Sequence, residues 1–227
     1  MKGLAMLSAL ALSSLLACAR DDTVAMESAS KTPRLSAPTL PARAPTSERL
    51  LTRAQAPAMA DEGARMPSIY DLEIPLTDQS AVVRSLAAFR GHPVLITMFY
   101  GGCPAACPLL TSDLKRIEGQ LPESVRSNVR VLMVSFDAAR DTPAALSRLM
   151  TERGMDAARW TLASAPDDEA RELAGVLDIR YRRLDNGEFF HSSAIVLLDA
   201  QGRPRARVDG IGGDMSVIVS ALAKPST

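Results

Sequence analysis

Three uninterrupted apolar runs constrain the fold of this chain more than any other feature: Pro93-Val-Leu-Ile-Thr-Met-Phe-Tyr100, Val129-Arg-Val-Leu-Met-Val-Ser-Phe136 and Ala194-Ile-Val-Leu-Leu-Asp199. A strand with one wet face alternates apolar and polar residues, and these runs do not, so both faces of each strand must be covered. The covering layers are legible between them. Helices are expected over residues 107–120, over 143–153 with Thr142 as N-cap and Pro143 at the first helical position, over 167–177 with acids in the first turn, and over 214–223. Residues 160–162 read as a short strand, and Gln201-Gly202 turns the third run into an antiparallel partner near 205–209. Before the first run, Ile69, Leu72, Ile74 and Leu76 suggest an edge strand or irregular β segment. A turn at 77–80 and a short apolar helix or turn at 85–89 follow it. The order β-α-β-α-β-α-β-β-α predicts an α/β fold with a central mixed sheet flanked by helices on both faces.

The folded part is expected to occupy residues 67–227 and to be preceded by two segments of a different kind. Lys2 followed by the apolar stretch 4–16 reads as a secretion signal, too short for a comfortable membrane span. Leu15-Leu16-Ala17-Cys18 resembles the lipobox of bacterial lipoproteins, which makes Cys18 the lipidated first residue of the mature chain and 1–18 its leader. An ordinary cleavage after Ala17-Cys18-Ala19 is the competing reading. Ala19 after Cys18 resembles lipoproteins sent to the outer membrane, and the choice between inner and outer membrane stays open. Residues 19–66 are rich in Ala, Pro and Ser, lack aromatics and hold no sustained period, so they read as a flexible tether. Such a tether spans on the order of 35–40 Å, enough to hold a domain clear of a bilayer. Lys plus Arg and Asp plus Glu number 26 each, so charge recommends neither nucleic acid nor an anionic membrane surface as partner.

With Cys18 an anchor or discarded, two of the three cysteines remain, in Cys103-Pro-Ala-Ala-Cys107-Pro108. In an oxidising compartment they become a disulfide, a metal site or a redox couple. They follow an apolar strand through Gly101-Gly102 and open a helix, whose N-terminus favours the thiolate that binds metals and attacks disulfides. His191, in Phe190-His-Ser-Ser193 before a later strand, is the natural third ligand. Two sulfurs and one imidazole suit Cu(I) and tolerate Cu(II), whereas structural zinc normally closes four ligands.

The cysteine motif, the loop Ser135-Phe-Asp137-Ala-Ala-Arg140-Asp141-Thr142-Pro143 and His191-Ser192 together resemble the SCO/SenC family over about residues 68–224. The resemblance implies a thioredoxin-like fold and a periplasm-facing, membrane-tethered copper protein of the bacterial cell envelope. It implies copper bound by Cys103, Cys107 and His191, with the copper site of cytochrome c oxidase as the recipient that many members serve. Some members act instead as thiol-disulfide reductants, through a couple here formed by Cys103 and Cys107. An oxidised pair should not bind metal, so the copper reading also requires a periplasmic thiol reductant as partner. This chain departs from the family where an acidic residue commonly lies between the cysteines, here Ala105-Ala106, and where another precedes the histidine, here Phe190. The ligand set survives both changes; the surroundings of the metal and the docking surface do not.

Each residue also has a plainer role. The cysteines could be a structural disulfide, His191 a strand-edge histidine bonded to backbone, and the loop 137–142 a helix cap and turn. His92 reads as a turn residue, Met98, Met133 and Met150 as core, and Trp160 and the few other aromatics as packing. Against a thiol-disulfide oxidoreductase stands the spacing, one residue longer than Cys-x-x-Cys. The Pro-x-x-x-Thr-x-x-Cys pattern of peroxiredoxins is absent.

Overall fold

A computed structural model describes residues 67–104 and 106–224. In chain order the strands are β1 (Pro75–Asp78), β2 (Val83–Ser85), β3 (Val94–Phe99), β4 (Arg130–Ser135), β5 (Trp160–Ser164), β6 (Tyr181–Arg183), β7 (Phe189–His191), β8 (Ala194–Leu198) and β9 (Pro204–Asp209). The helices are α1 (Ala106–Gln120), α2 (Glu123–Arg126), α3 (Pro143–Glu152), α4 (Asp167–Val176) and α5 (Ser216–Ala223). The three apolar runs are β3, β4 and β8, buried at every residue except Arg130. They lie side by side in a seven-stranded sheet of order β2-β1-β5-β4-β3-β8-β9. The β3–β4 and β4–β5 pairs are parallel and the other neighbours antiparallel, so the sheet is mixed as expected. A separate two-stranded sheet pairs β6 with β7.

The crossovers β3-α1-β4 and β4-α3-β5 step the same way across the sheet, and right-handed connections place α1 and α3 on one face. There Lys115 of α1 donates to the carbonyls of Arg153 and Gly154 at the end of α3, and α5 packs beside α1. The opposite face is reached through β9. Val208 lies against Gly213 on the α5 side, while Arg207 projects the other way and donates to the carbonyls of Leu177 and Asp178 at the end of α4. Helices therefore cover both faces. The buried Glu118 of α1 is satisfied: it accepts from the Trp160 indole at 2.9 Å and pairs with Arg159, tying the helix to β5.

The details differ from expectation at short elements. The first strand is not an edge, because β2 lies outside it; the turn between them is stapled by the buried Asp78 carboxylate, which accepts from the Ser80 and Val82 amides and from Arg84. Residues 69–71 form a 3-10 turn, and the single turn α2 and the β6–β7 hairpin were not anticipated. The leader 1–18 with Cys18, and the tether 19–66, lie outside the described residues. As expected, Thr142 caps α3, accepting from the Ala145 amide, with Pro143 in its first turn. Met98, Met133 and Met150 are core.

Candidate metal centre

The parallel strands β3 and β4 end together, Phe99 opposite Ser135, and the cysteine segment leaves the sheet at that edge. Past Tyr100 the chain turns, with the Cys103 amide donating to the Tyr100 carbonyl at 3.2 Å, and enters α1 at Ala106. Cys107 therefore lies in the first turn of the helix, whereas Cys103 precedes it. The two cysteines four residues apart therefore do not share one helix face. Both cysteines are free and buried, Cys103 8% and Cys107 3% exposed. Burial pushes the Cys107 thiol up to about 12, with the Cys103 and Asp141 charges adding to it and Arg153 opposing. The expected thiolate preference of a helix N-terminus is thus outweighed by desolvation at Cys107.

The loop after β4 holds this segment in place. Asp141, buried, accepts the Gly101 amide at 2.8 Å and the Ser135 hydroxyl. Burial raises its carboxyl above the usual range against the pull of those two bonds. The approach is so close that a Cβ on Gly101 would stand 2.5 Å from an Asp141 oxygen, which is why the residue is glycine. Arg140, one residue earlier, pairs with the buried Asp137 and donates to the Gly187 carbonyl at 2.7 Å in the turn of the β6–β7 hairpin. Its guanidinium also lies over the rings of Tyr100 and Phe189, at 6.0 and 5.7 Å. The loop 137–142 caps α3 as expected, and it also fastens the cysteine segment to the hairpin that carries the histidine.

His191 ends β7 and enters an aromatic nest. Its ring meets Phe136 at 5.4 Å and Tyr100 edge-on at 5.8 Å, while Phe136 stacks on Tyr181 at 4.4 Å and touches Phe189 at 5.1 Å. His191 Nδ1 lies 3.1 Å from the Ser192 carbonyl, which can only accept, so Nδ1 is the donor of that bond and Nε2 is the ring nitrogen it leaves unused. Tyr100 links the two halves: its hydroxyl donates to Glu188 of the hairpin at 2.7 Å, and the Cys103 charge is among the causes, after burial and that bond, that raise its pKa. Among the described residues, no three His, Cys, Asp or Glu side chains stand within reach of one ion. The fold therefore brings the cysteine segment and His191 to one neighbourhood without closing the three on a point. His92 is remote from them, half-buried and bonded through Nδ1 to Asn128.

Reading the aromatics as plain packing missed Tyr100, Phe136, Tyr181 and Phe189 as the walls around His191. Asn186-Gly187 was the available signal, since that dipeptide marks a hairpin turn and would have placed both flanking segments in register.

Residues 64–224 match the family model described as SCO1/SenC. The chain belongs to the SCO1/SenC family. It is 31% identical over 113 residues to a Stutzerimonas stutzeri protein provisionally named copper-binding, covering 50% of this chain, and it spans about half, 52%, of that curated relative. Among solved structures it is similar to a SCO1/SenC family lipoprotein from Bacillus anthracis, with a TM-score of 0.61 at 18% identity, covering 68% of this chain and 94% of the other. It is also similar to Bradyrhizobium japonicum ScoI, solved with copper bound, with a TM-score of 0.55 at 21% identity, covering 66% and 93%. These likenesses give this SCO1/SenC member its fold, the thioredoxin-like arrangement of a mixed sheet between helices.

Proposed function

We propose that the chain is a membrane-tethered copper metallochaperone that holds its cargo through the Cys103 and Cys107 thiolates and the His191 imidazole and passes it on in cytochrome c oxidase assembly. The observation that carries this reading is the state of His191. Its Nδ1 is bonded to a backbone carbonyl, Nε2 is not used by that bond, and its ring leans on Tyr100, three residues from Cys103. A dithiol that only exchanged disulfides would need no such nitrogen. Thiolate sulfur and imidazole are the donors that accommodate Cu(I), and the copper named for the Stutzerimonas stutzeri and Bradyrhizobium japonicum relatives supports the assignment.

Capture requires the thiols to lose their protons and the cysteine segment and hairpin to draw together. The Arg140 and Tyr100–Glu188 contacts set the starting distance for that movement. Lipidation at Cys18, a leader over 1–18 and a tether over 19–66 place the domain 67–227 at the periplasmic side of a bacterial envelope membrane in this proposal, supported by the lipoprotein named in Bacillus anthracis. A periplasmic thiol reductant keeps Cys103 and Cys107 open to metal.

The test is anaerobic copper titration of the reduced chain beside Cys103→Ser, Cys107→Ser and His191→Ala. One equivalent bound tightly by the parent and each variant weakened by roughly tenfold or more is the expected result for loss of a direct ligand. Affinity indifferent to His191 would favour the alternative, a thiol-disulfide oxidoreductase acting through the Cys103/Cys107 couple.

A further inference from the structure

The β6–β7 hairpin presents two chemically different faces. Its register sets Tyr181 against His191, Arg182 against Phe190 and Arg183 against Phe189, and strand alternation turns Arg182 and Phe190 away from the side that carries His191. Phe190 is 61% exposed, with the Arg182 guanidinium over its ring at 5.7 Å. Arg180, two residues before Arg182, is exposed and by the same alternation shares its face, whereas Arg183, also exposed, lies over Phe189 at 5.9 Å on the side that carries His191.

Among the described residues, Arg180, Arg182 and Arg183 make no ion pair with a carboxylate. Of the nearby acids, Glu188 is engaged by the Tyr100 hydroxyl, Asp185 lies at the turn, and Asp167 and Asp168 in the first turn of α4 act on Tyr181, on the side that carries His191. The formal net charge of the whole chain is +0, so this positive field is local to the rim of the site.

We propose that this outer face docks an acidic surface of the copper-accepting protein, with Phe190 seated in an apolar notch and Arg180 and Arg182 opposite carboxylates. The inference rests on the copper-transfer reading above. Charge complementarity names the occupant: two guanidinium groups without an ion-pair partner call for carboxylates, and a guanidinium stacked on an aromatic ring keeps its planar fork free for them. Arginine and aromatic side chains together form the anchors of protein interfaces, and a shaped aromatic knob favours a protein surface over a bilayer. The position also suits transfer. Phe190 is bonded in sequence to His191, so a protein docked there lies one residue from the proposed ligand at the rim of the site.

The experiment measures binding of the reduced, metal-free full chain to the soluble copper-site domain of the host's cytochrome c oxidase by calorimetry, at low and high salt. Arg180→Glu/Arg182→Glu is measured beside the parent, with copper titration of both. The expected result is parent affinity that falls as salt rises, and a double variant weaker by on the order of tenfold or more at low salt with that dependence gone. Equal affinity in the double variant overturns the proposal, as does a parent that does not bind the oxidase domain. Binding instead to phosphatidylglycerol vesicles, lost in the variant, overturns it in favour of a membrane surface. If the parent takes up no copper yet docks through the arginines, the copper reading fails and the docking face stands. If copper is bound and charge reversal changes nothing, the docking face fails alone.

Discussion

Gly101→Ala tests whether the Asp141 carboxylate holds the cysteine segment. The new Cβ would stand 2.5 Å from Asp141 Oδ1 and 3.3 Å from its Cγ. Reaching ordinary contact requires a withdrawal of roughly 1.0 Å, since nonbonded heavy atoms settle near 3.5 Å. Added to the 2.8 Å between the Gly101 amide and Asp141 Oδ2, that takes the pair to roughly 3.8 Å, beyond a hydrogen bond. The carboxylate cannot retreat freely because the Ser135 hydroxyl also holds it. Losing one hydrogen bond to a buried charged group costs about 1.5–3 kcal/mol. For a domain of this size each kcal/mol lowers Tm by about 2–4 °C, so a fall of roughly 3–12 °C is expected. The assay is thermal unfolding of the reduced chain followed by circular dichroism, with Asp141→Ala and the double variant completing a cycle. The clashing atom is absent from Asp141→Ala, so Gly101→Ala should cost far less in that background. An unchanged Tm for Gly101→Ala, or costs that simply add, would refute the reasoning.

Copper binding should strengthen with pH: Cys107, pushed up to about 12, is protonated in the free chain at neutral pH and must release its proton to bind, so affinity rises by at least about tenfold per pH unit between pH 6 and 9. A flat profile in competition titrations would contradict that. Tyr100→Phe removes the hydroxyl bond to Glu188, worth about 1 kcal/mol, and should speed amide exchange in the hairpin about fivefold while β3 and β4 stay protected. Unchanged exchange at residues 181–191 would show that Tyr100 does not hold the hairpin. Trp160→Phe leaves Glu118 without its indole donor and should destabilise the chain by about 1–3 kcal/mol in urea unfolding read by circular dichroism, a loss that Glu118→Gln in the same background should reduce.

Much of this architecture is written in the local sequence because β3, β4 and β8 are buried on both faces and need no partner to be recognised. Thr142-Pro143 likewise signals the start of α3 through capping chemistry that acts within a few residues. The β6–β7 hairpin is different. Its strands are three residues each, Phe189 and Phe190 break the alternation, and only the Asn186-Gly187 turn betrays the pairing. The two cysteines and the histidine are legible as donor types, and the roles of Asp141, Arg140 and Tyr100 are not. Those roles arise from contacts 40, 47 and 88 residues apart in sequence, to Gly101, Gly187 and Glu188. The Cys107 thiol shows the same limit, since helix position argues for a thiolate and only the packed environment reveals that desolvation wins.

The most direct test of the copper assignment is X-ray absorption at the copper edge of the reduced, Cu(I)-loaded chain, beside His191→Ala. The account predicts two sulfur scatterers and one nitrogen in the parent, with the nitrogen lost or replaced in the variant. A parent site made of sulfur alone, or one whose spectrum does not change when His191 is removed, would contradict it.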